Sequence, residues 1–143
     1  MKKKDNLDED IIKVEEIEYK LLDYLKKKYP QSRKIKGEFK DFDIEVPEKD
    51  IKIEVKRDIG SNNSNNFFIE YECNYKKSGI SSTKATHWVI YDESSFHWLK
   101  TSKLKALCEI YGDKWEGTPN GGVSNVKAFL IPKEVVIKHK ETK

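Results

Sequence analysis

A chain of 143 residues, of which 36% are hydrophobic and 37% are charged, has room for one globular domain with one hydrophobic core. Its formal net charge of +3 is too small to indicate a nucleic-acid partner by itself, and its apolar runs fall far short of the ~20 residues of a membrane-spanning helix. We therefore expect a single soluble domain over residues 1–143, with no membrane contact and with flexible ends at 1–9 and 138–143.

The first predicted element is a helix over residues 8–29, because acidic residues lead it, lysines trail it and Pro30 follows it. At about 100° per residue, its apolar side chains fall on one stripe, made of Ile11, Val14, Ile17, Leu21, Leu22 and Leu25. Glu18 falls near the centre of this stripe. A carboxylate on a buried face is costly unless it is paired, protonated or bound to a cation. Glu18 is therefore either a side chain that reaches solvent or a lysine, or an acid that faces a functional site.

Three strands are predicted next, from alternating apolar and polar residues. The first covers residues 39–46 and carries Asp43 on its polar face, and the second covers 51–56 and carries Glu54 and Lys56 on its polar face. The segment GSNNSNN, residues 60–66, has no apolar anchor and is expected to be a mobile loop before a third strand over 67–73. If the three strands are adjacent, their acids share one end of one face.

The second half of the chain predicts a turn into a short helix over 78–86, an inner strand over 87–91 and an edge strand over 96–100. A helix is expected over 101–111, with Thr101 or Ser102 as its cap. Residues 112–125 are expected to be irregular because they contain Pro119 and Asn120-Gly121-Gly122, and a last strand over 126–131 ends before Pro132. The expected fold class is α/β, with a central mixed sheet flanked by helices.

Asp43, Glu54 and Lys56 are the residues on which a functional interpretation depends. A hairpin would bring Asp43 beside Glu54, and two close carboxylates repel each other unless a divalent cation lies between them. Oxygen ligands favour Mg²⁺, which the backbone carbonyl of Val55 would also reach, and Mg²⁺ activates water and stabilises a phosphoryl transition state. A lysine two residues after Glu54 is placed to orient that water or to offset negative charge. The alternative is an exposed strand face with cross-strand charge pairs, each worth roughly a few tenths of a kcal/mol.

The order of helix, Asp43 and the segment IEVK resembles the core of the PD-(D/E)XK nuclease superfamily, also called the restriction-endonuclease-like fold. The segments FDI, IEVKRD, NFFIEYE and SGISSTKATHWVIY follow one another as in small phage and bacterial members, and the resemblance covers roughly residues 10–100. It implies an α-β-β-β-α-β core, with Asp43 and Glu54 as metal ligands and Lys56 as the catalytic lysine. Phe42 stands where the motif has its proline, and Asp41 competes with Asp43 for the ligand role.

Similarity to Holliday junction resolvases implies a further acid on the first helix, for which Glu18 is the first candidate and Glu15 the second. The implied activity is a deoxyribonuclease that depends on Mg²⁺, with Mn²⁺ as a substitute, in a bacterial or phage-infected cell. Branched DNA is the expected substrate, and symmetric cleavage of two strands implies a homodimer. The alternatives are a sequence- or lesion-selective nuclease of the same fold and a non-catalytic DNA-binding module. Basic residues around 26–36 and 76–84, with the loop 60–66, are expected to contact phosphates.

Four further residues are weaker candidates for the site. Glu70 either extends the acidic site or faces solvent, and Glu72 is expected to face solvent. Thr83 and Lys84, near a predicted helix start, either bind a phosphate through backbone N–H groups or cap that helix.

The cysteines and histidines do not indicate a second kind of site. Cys73 and Cys108 are too few and too far apart for structural zinc, and two free thiols are typical of a cytoplasmic protein. The three histidines show no metal-ligand spacing, and the sequence suggests no Ser-His-Asp or Cys-His arrangement.

Overall fold

A computed structural model of the chain describes the backbone of residues 2–37, 40–119 and 122–141, with side chains from residue 13 onward. Within these residues the chain forms four α-helices and nine strands, which are arranged in two sheets. The helices are α1 (Lys2–Lys26), α2 (Ser61–Ser64), α3 (Thr101–Tyr111) and α4 (Lys133–His139). The strands are β1 (Arg33–Lys34), β2 (Ile44–Val46), β3 (Ile51–Arg57), β4 (Asn66–Cys73), β5 (Lys76–Lys77), β6 (His87–Tyr91), β7 (Phe96–Lys100), β8 (Asp113–Gly117) and β9 (Val126–Pro132). None of the described helices is both long enough and apolar enough to cross a membrane.

The first sheet has the strand order β1-β2-β3-β6-β7 and carries the candidate site. β2 and β3 form an antiparallel hairpin around the 3-10 turn Pro47–Lys49, and β3 runs parallel to β6. Helix α1 covers one face, where its apolar stripe packs against Ile44, Val46, Ile53, Val55, Val89 and Trp98. Because side chains alternate along a strand, burial of Ile53 and Val55 under α1 turns Glu54 and Lys56 to the opposite face.

The second sheet has the strand order β5-β4-β9-β8 and is antiparallel throughout. Its apolar face packs against the face of the first sheet that α1 leaves open, together with α3 and α4. The shared core contains Phe67, Ile69, Trp88, Ile90, Leu99, Leu104, Cys108, Ile131 and Val136. The architecture is therefore mixed α/β, with the first sheet enclosed between α1 and the second sheet.

Most predicted elements are confirmed, with shifted ends. The first helix spans 2–26 instead of 8–29, and its stripe is confirmed at Ile17, Leu21, Leu22 and Leu25, which are buried. The strands predicted over 51–56, 67–73, 87–91, 96–100 and 126–131 and the helix predicted over 101–111 form within a residue or two of these bounds.

The predicted neighbour of β3 is wrong. The third predicted strand does not lie beside β3. As β4 it pairs with β5 and β9, because Phe67 and Ile69 bury themselves between the two sheets, and β6 takes the place next to β3.

Three local predictions are also wrong. The segment 60–66 is anchored, since it forms α2, whose buried Ser61 donates its hydroxyl to the Asp58 carbonyl oxygen at 2.8 Å. The helix expected within 78–86 is only a 3-10 turn, Gly79–Ser81. The span 112–125, expected to be irregular, contains β8.

Some predictions fall outside the described residues. These are residue 39 of the strand predicted over 39–46, which begins at Ile44, and Asn120-Gly121 of the predicted breaker. The side chain of Ile11 and positions 1 and 142–143 of the predicted ends also lie outside the description.

A buried polar cluster joins the two sheets at the β6–β7 turn, and we call Asp92, His97 and Lys133 the Asp92 cluster. Asp92 is 1% exposed, and its Oδ2 atom accepts from Lys133 Nζ at 2.6 Å and lies 2.8 Å from His97 Nε2. Its Oδ1 atom accepts from the backbone N–H groups of Ser94 and Ser95 at 3.0 and 2.9 Å. The Ser95 hydroxyl and Asp92 meet the same nitrogen of His97, whereas a nucleophilic triad uses both ring nitrogens. The cluster therefore connects the hairpin of the first sheet to the start of α4.

Candidate active site

The β2–β3 hairpin places Asp43 beside Glu54, as the sequence predicts. Ile44 pairs with Ile53, so one step along the register sets Asp43 next to Glu54. Asp43 is buried just before β2, and its Oδ2 atom accepts from the Val55 N–H at 2.8 Å. Its side chain is therefore held by the backbone of β3, at the point where β2 separates from β3.

The carboxyl groups of Asp43 and Glu54 are neighbours at this corner of the hairpin. Burial raises the pKa of Glu54 to about 7, and the charge and hydrogen bond of Asp43 act in the same direction, against the opposing charge of Lys56. Lys56 Nζ lies 3.5 Å from Glu54 Oε2 and 5.6 Å from the centroid of the Trp88 ring. Two neighbouring carboxylates repel each other unless a cation lies between them.

Glu18 reaches the same place from α1. Its side chain is 5% exposed, and its Oε1 atom lies 3.3 Å from Lys34 Nζ and 4.0 Å from Lys40 Nζ. Burial raises the pKa of Glu18, and so does the charge of Asp43, while the two lysines lower it. Among the described residues, this Oε1 atom has charged neighbours but no donor aligned for a hydrogen bond. The acid on the apolar stripe is thus paired with lysines, one of the two arrangements that the sequence left open.

Lys40 is the residue at this site that the sequence analysis did not single out. Its ammonium lies 3.0 Å from Asp43 Oδ1 and 4.0 Å from Glu18 Oε1, so a cation bridges the two acids. Partial burial lowers the pKa of Lys40, but the hydrogen bond and charge of Asp43, with the charge of Glu18, outweigh it and raise the pKa. The available signal was only a lysine three residues before the candidate aspartate, within the strand predicted over 39–46, which in the structure begins at Ile44.

The residues present fit Mg²⁺. In the part of the chain that the structure describes, no three His, Cys, Asp or Glu side chains are grouped to hold a metal ion. Mg²⁺ needs fewer protein ligands, because it is commonly held by one or two carboxylates together with waters and substrate phosphates. Asp43 and Glu54 supply two neighbouring carboxyl groups, and the Lys40 ammonium marks a position beside Asp43 where positive charge is stabilised.

A polar cavity of about 300 Å³ opens beside these carboxylates. Its walls include Glu54 and Lys56 from β3, Trp88 from β6, and the predicted candidates Thr83 and Lys84. The reason given for Thr83 and Lys84 is wrong, because the 3-10 turn ends before them and the Ala85 N–H donates to Thr83 Oγ1. They line the cavity because they lie in the segment that joins this turn to β6.

Asp41 and Asp43 occupy different positions. Asp41 is exposed and lines the cavity, whereas Asp43 is buried and bound to β3. Of the two, Asp43 is therefore the residue beside Glu54.

Three other acidic candidates lie elsewhere. Glu15 is exposed on α1, and Glu72 pairs with Lys127 of the second sheet at 3.1 Å. Glu70 accepts a hydrogen bond from the Ser78 hydroxyl at 2.7 Å and lines a neighbouring cavity.

Part of the basic region expected to contact phosphates is engaged within the protein. Arg33 pairs with Glu45 at 2.6 Å, and Lys34 turns inward to Glu18. Lys26, Lys27 and Lys28 remain exposed at the end of α1. The cations nearest the cavity are instead Lys40, Lys56 and Lys84.

Comparison with known proteins assigns this chain to no family. What supports a function is the arrangement of Asp43, Glu54 and Lys56 itself. Searches against protein-family models, curated proteins and solved structures found no match to this chain.

Proposed function

We propose that the protein is an Mg²⁺-dependent nuclease that hydrolyses DNA phosphodiester bonds in the cavity beside Glu54. The observation that carries the proposal is the neighbouring position of the Asp43 and Glu54 carboxyl groups, with Lys56 3.5 Å from Glu54. Two neighbouring acids favour a divalent cation, and the lysines at the cavity favour a phosphate. Mn²⁺ should substitute for Mg²⁺, because both prefer oxygen ligands.

Each residue has a defined role in this proposal. Asp43 and Glu54 would hold the metal, and the backbone of Val55 lies beside them, with its N–H bound to Asp43. When bound, Mg²⁺ would supply Lewis acidity and a nucleophile at neutral pH. The Lys56 side chain is 48% exposed, so its ammonium is free to turn from Glu54 to the negative charge that develops on the phosphate. Glu18 holds Lys34 and Lys40 at the edge of the site, and Lys40 contacts the phosphate once Asp43 has another cation.

The restriction-endonuclease-like fold is part of the proposal. In its support, α1 precedes the hairpin that positions Asp43 and Glu54, and β3 pairs with the parallel strand β6. Between β3 and β6 the chain forms α2, β4, β5 and the 3-10 turn Gly79–Ser81. The resemblance implies a third core strand and then a helix longer than this turn. Within the class we favour branched DNA as substrate and a homodimer that cuts two strands symmetrically.

A non-catalytic DNA-binding module is the second candidate, and one observation favours it. The Lys40 ammonium, 3.0 Å from Asp43, already neutralises part of the acidic charge. If Lys40 stays there, the site needs no metal, and the exposed lysines serve for binding alone.

Cleavage assays with matched variants separate these candidates. We would compare the natural protein, Glu54→Gln, Lys56→Gln and Lys105→Gln, the last a control at an exposed position of α3. Each is incubated with labelled duplex, single strand, splayed arm and four-way junction in Mg²⁺, Mn²⁺ or EDTA. We expect metal-dependent cleavage by the natural protein and the control, and a loss of about 100-fold or more in Lys56→Gln.

The pattern of products then decides the substrate. Paired nicks confined to the junction support a resolvase, whereas cuts in linear duplex at preferred sites support a sequence- or lesion-selective nuclease. Equal DNA binding by all four proteins with no cleavage of any substrate would reject the enzyme and leave the binding module.

A further inference from the structure

A second cavity adjoins the candidate active site. It has a volume of about 610 Å³ and shares Lys56 and Trp88 with the polar cavity beside Glu54. Both volumes lie within the range of about 300–1,000 Å³ that is typical of ligand pockets. Lys56 therefore stands where two compartments meet, with the carboxylates on one side and the second cavity on the other.

The second cavity differs from the first in its chemistry. Its walls include the apolar residues Ile59, Phe68, Ile69, Ile90 and Pro119. The Phe68 ring packs edge-on against Trp115 with centroids 5.1 Å apart, which keeps an aromatic surface at the wall. Such a surface suits a flat, apolar ring.

The corner of this cavity is held by hydrogen bonds and is formed before any ligand binds. The Asp58 carboxylate accepts from the Phe68 N–H at 2.8 Å and from the Ser61 N–H at 3.2 Å. These bonds tie the segment after β3, which carries Ile59, to β4. A preformed wall lowers the entropic cost of binding a ligand.

The charged side chains of the second cavity are two cations, Lys56 and Arg57, and two acids, and Arg57 is paired with Glu93 at 2.9 Å. Glu70 uses Oε2 to accept from Ser78, which leaves Oε1 as an acceptor, and the Asp58 carboxylate lies in the same wall. The two carboxylates offset the attraction of the two cations for a phosphate, and they accept hydrogen bonds from the amino groups of adenine or cytosine. The first cavity thus favours the phosphate of a nucleotide, and the second favours its base.

We propose that the second cavity binds one unpaired nucleobase of the DNA, next to the phosphate at Lys56. The inference rests on the proposed function and specifies its substrate. A base within a duplex is stacked on both faces and paired along its edge, so it enters such a pocket only when it is unpaired or flipped out. The protein therefore selects DNA with an unpaired nucleotide at the cleavage point, and it prefers adenine or cytosine to thymine.

The test measures binding in EDTA, so that its result does not depend on cleavage. The probes are duplexes with a one-nucleotide bulge of adenine, thymine or an abasic residue, and a fully paired duplex. The abasic bulge keeps the phosphates and removes only the base. We expect adenine to bind at least about fivefold more tightly than the abasic probe, which is the lower range for one stacked base.

Two variants with one control connect the preference to the cavity. Ile59→Asp places a charge in the apolar wall at a position that is 44% exposed, and Ile110→Asp makes the same change at a 70% exposed position of α3. We expect Ile59→Asp to lose the preference for adenine over the abasic probe and Ile110→Asp to keep it. Glu70→Gln should lose the discrimination between adenine and thymine.

The outcomes separate this inference from the nuclease proposal. Equal affinity of the natural protein for the adenine and abasic bulges would overturn the base pocket and leave the cleavage assay to decide the enzyme. A preference for adenine that survives in Ile59→Asp would also overturn it, because the base would then bind elsewhere. Absence of DNA binding with any probe would likewise overturn the base pocket, and the cleavage assay in Mg²⁺ would decide the nuclease.

Discussion

Removal of the Asp92 charge should cost a large part of the stability of the fold. In Asp92→Asn the side chain keeps its shape but loses its charge, which leaves the Lys133 ammonium, 18% exposed, without the anion now 2.6 Å away. Removal of one partner of a buried ion pair costs about 3–5 kcal/mol, against about 5–15 kcal/mol for the free energy of unfolding of a whole domain. At roughly 2–4 °C per kcal/mol, the midpoint of thermal unfolding should fall by about 6–20 °C.

The assay is urea unfolding followed by tryptophan fluorescence, with thermal unfolding followed by circular dichroism. Asp113→Asn is the matched control, because Asp113 is exposed on β8, and it should change the free energy of unfolding by less than about 0.5 kcal/mol. The reasoning is refuted if Asp92→Asn loses less than about 1 kcal/mol, since Asn62, whose Oδ1 atom accepts from Lys133 Nζ at 2.9 Å, or water would then be enough for the partly buried ammonium.

The same cluster predicts how stability depends on pH. Burial alone would raise the pKa of Asp92, but hydrogen bonds from Lys133, His97, Ser94 and Ser95 outweigh it and hold the pKa well below its usual range. A carboxyl group with a lowered pKa in the folded state stabilises the protein above its unfolded value near ~3.9, and this contribution is lost as pH falls toward the folded value.

His97 acts in the same direction at higher pH. Burial lowers the pKa of His97, despite Asp92, so stability also falls as pH drops below about 6.5. This loss is opposed by Glu54, whose pKa, raised to about 7, adds stability as pH falls from 7 toward its unfolded value, so the contribution of Asp92 is read from the difference between the natural protein and Asp92→Asn. Asp92→Asn should lose less below about pH 4, and an equally steep decline there in the variant would contradict the assignment to Asp92.

Two further predictions concern single positions. Gly79 has φ 51°, and a Cβ atom there would collide with the Glu70 carbonyl oxygen, so Gly79→Ala should destabilise the protein by more than about 1 kcal/mol in the same urea assay. Gly60→Ala is its control and should be nearly neutral, because Gly60 has φ −60° and a Cβ atom there would meet only Asp58 Oδ1, at an ordinary contact distance of 3.7 Å. Burial raises the pKa of the Cys108 thiol to about 12, so a thiol reagent should modify only Cys73 in the folded protein, and rapid modification of both would show that the core opens.

The elements that the sequence predicts well are those with a strict period over several residues. The alternation of apolar and polar residues alone defines β3. Its pairing with β2 involves residues close in the sequence, so the sequence also predicts that Asp43 lies beside Glu54. The helix over 101–111 follows in the same way from its apolar stripe.

What the sequence does not predict depends on contacts between distant segments. The apolar alternation of β4 is equally compatible with a place beside β3 and with a place beside β9, and only the packing of Phe67 and Ile69 between the sheets decides it. Lys40 and Asp92 lie in irregular segments, where no period marks which side chains turn inward. Their roles become visible only when Glu18 and Lys133 are known to be close to them.

The central position of β9 in the second sheet has a consequence for synthesis on the ribosome. β4 and β8 both pair with β9, and Phe67 meets Ile131 across that ladder. At about 5–20 residues per second, translation needs roughly 3–13 seconds between these two residues. During that interval Phe67 and Ile69 have no strand to cover them, so the nascent chain presents an apolar segment of the kind that chaperones bind. The wall of Phe68 and Glu70 beside Lys56 is therefore completed only after β9 has left the ribosome.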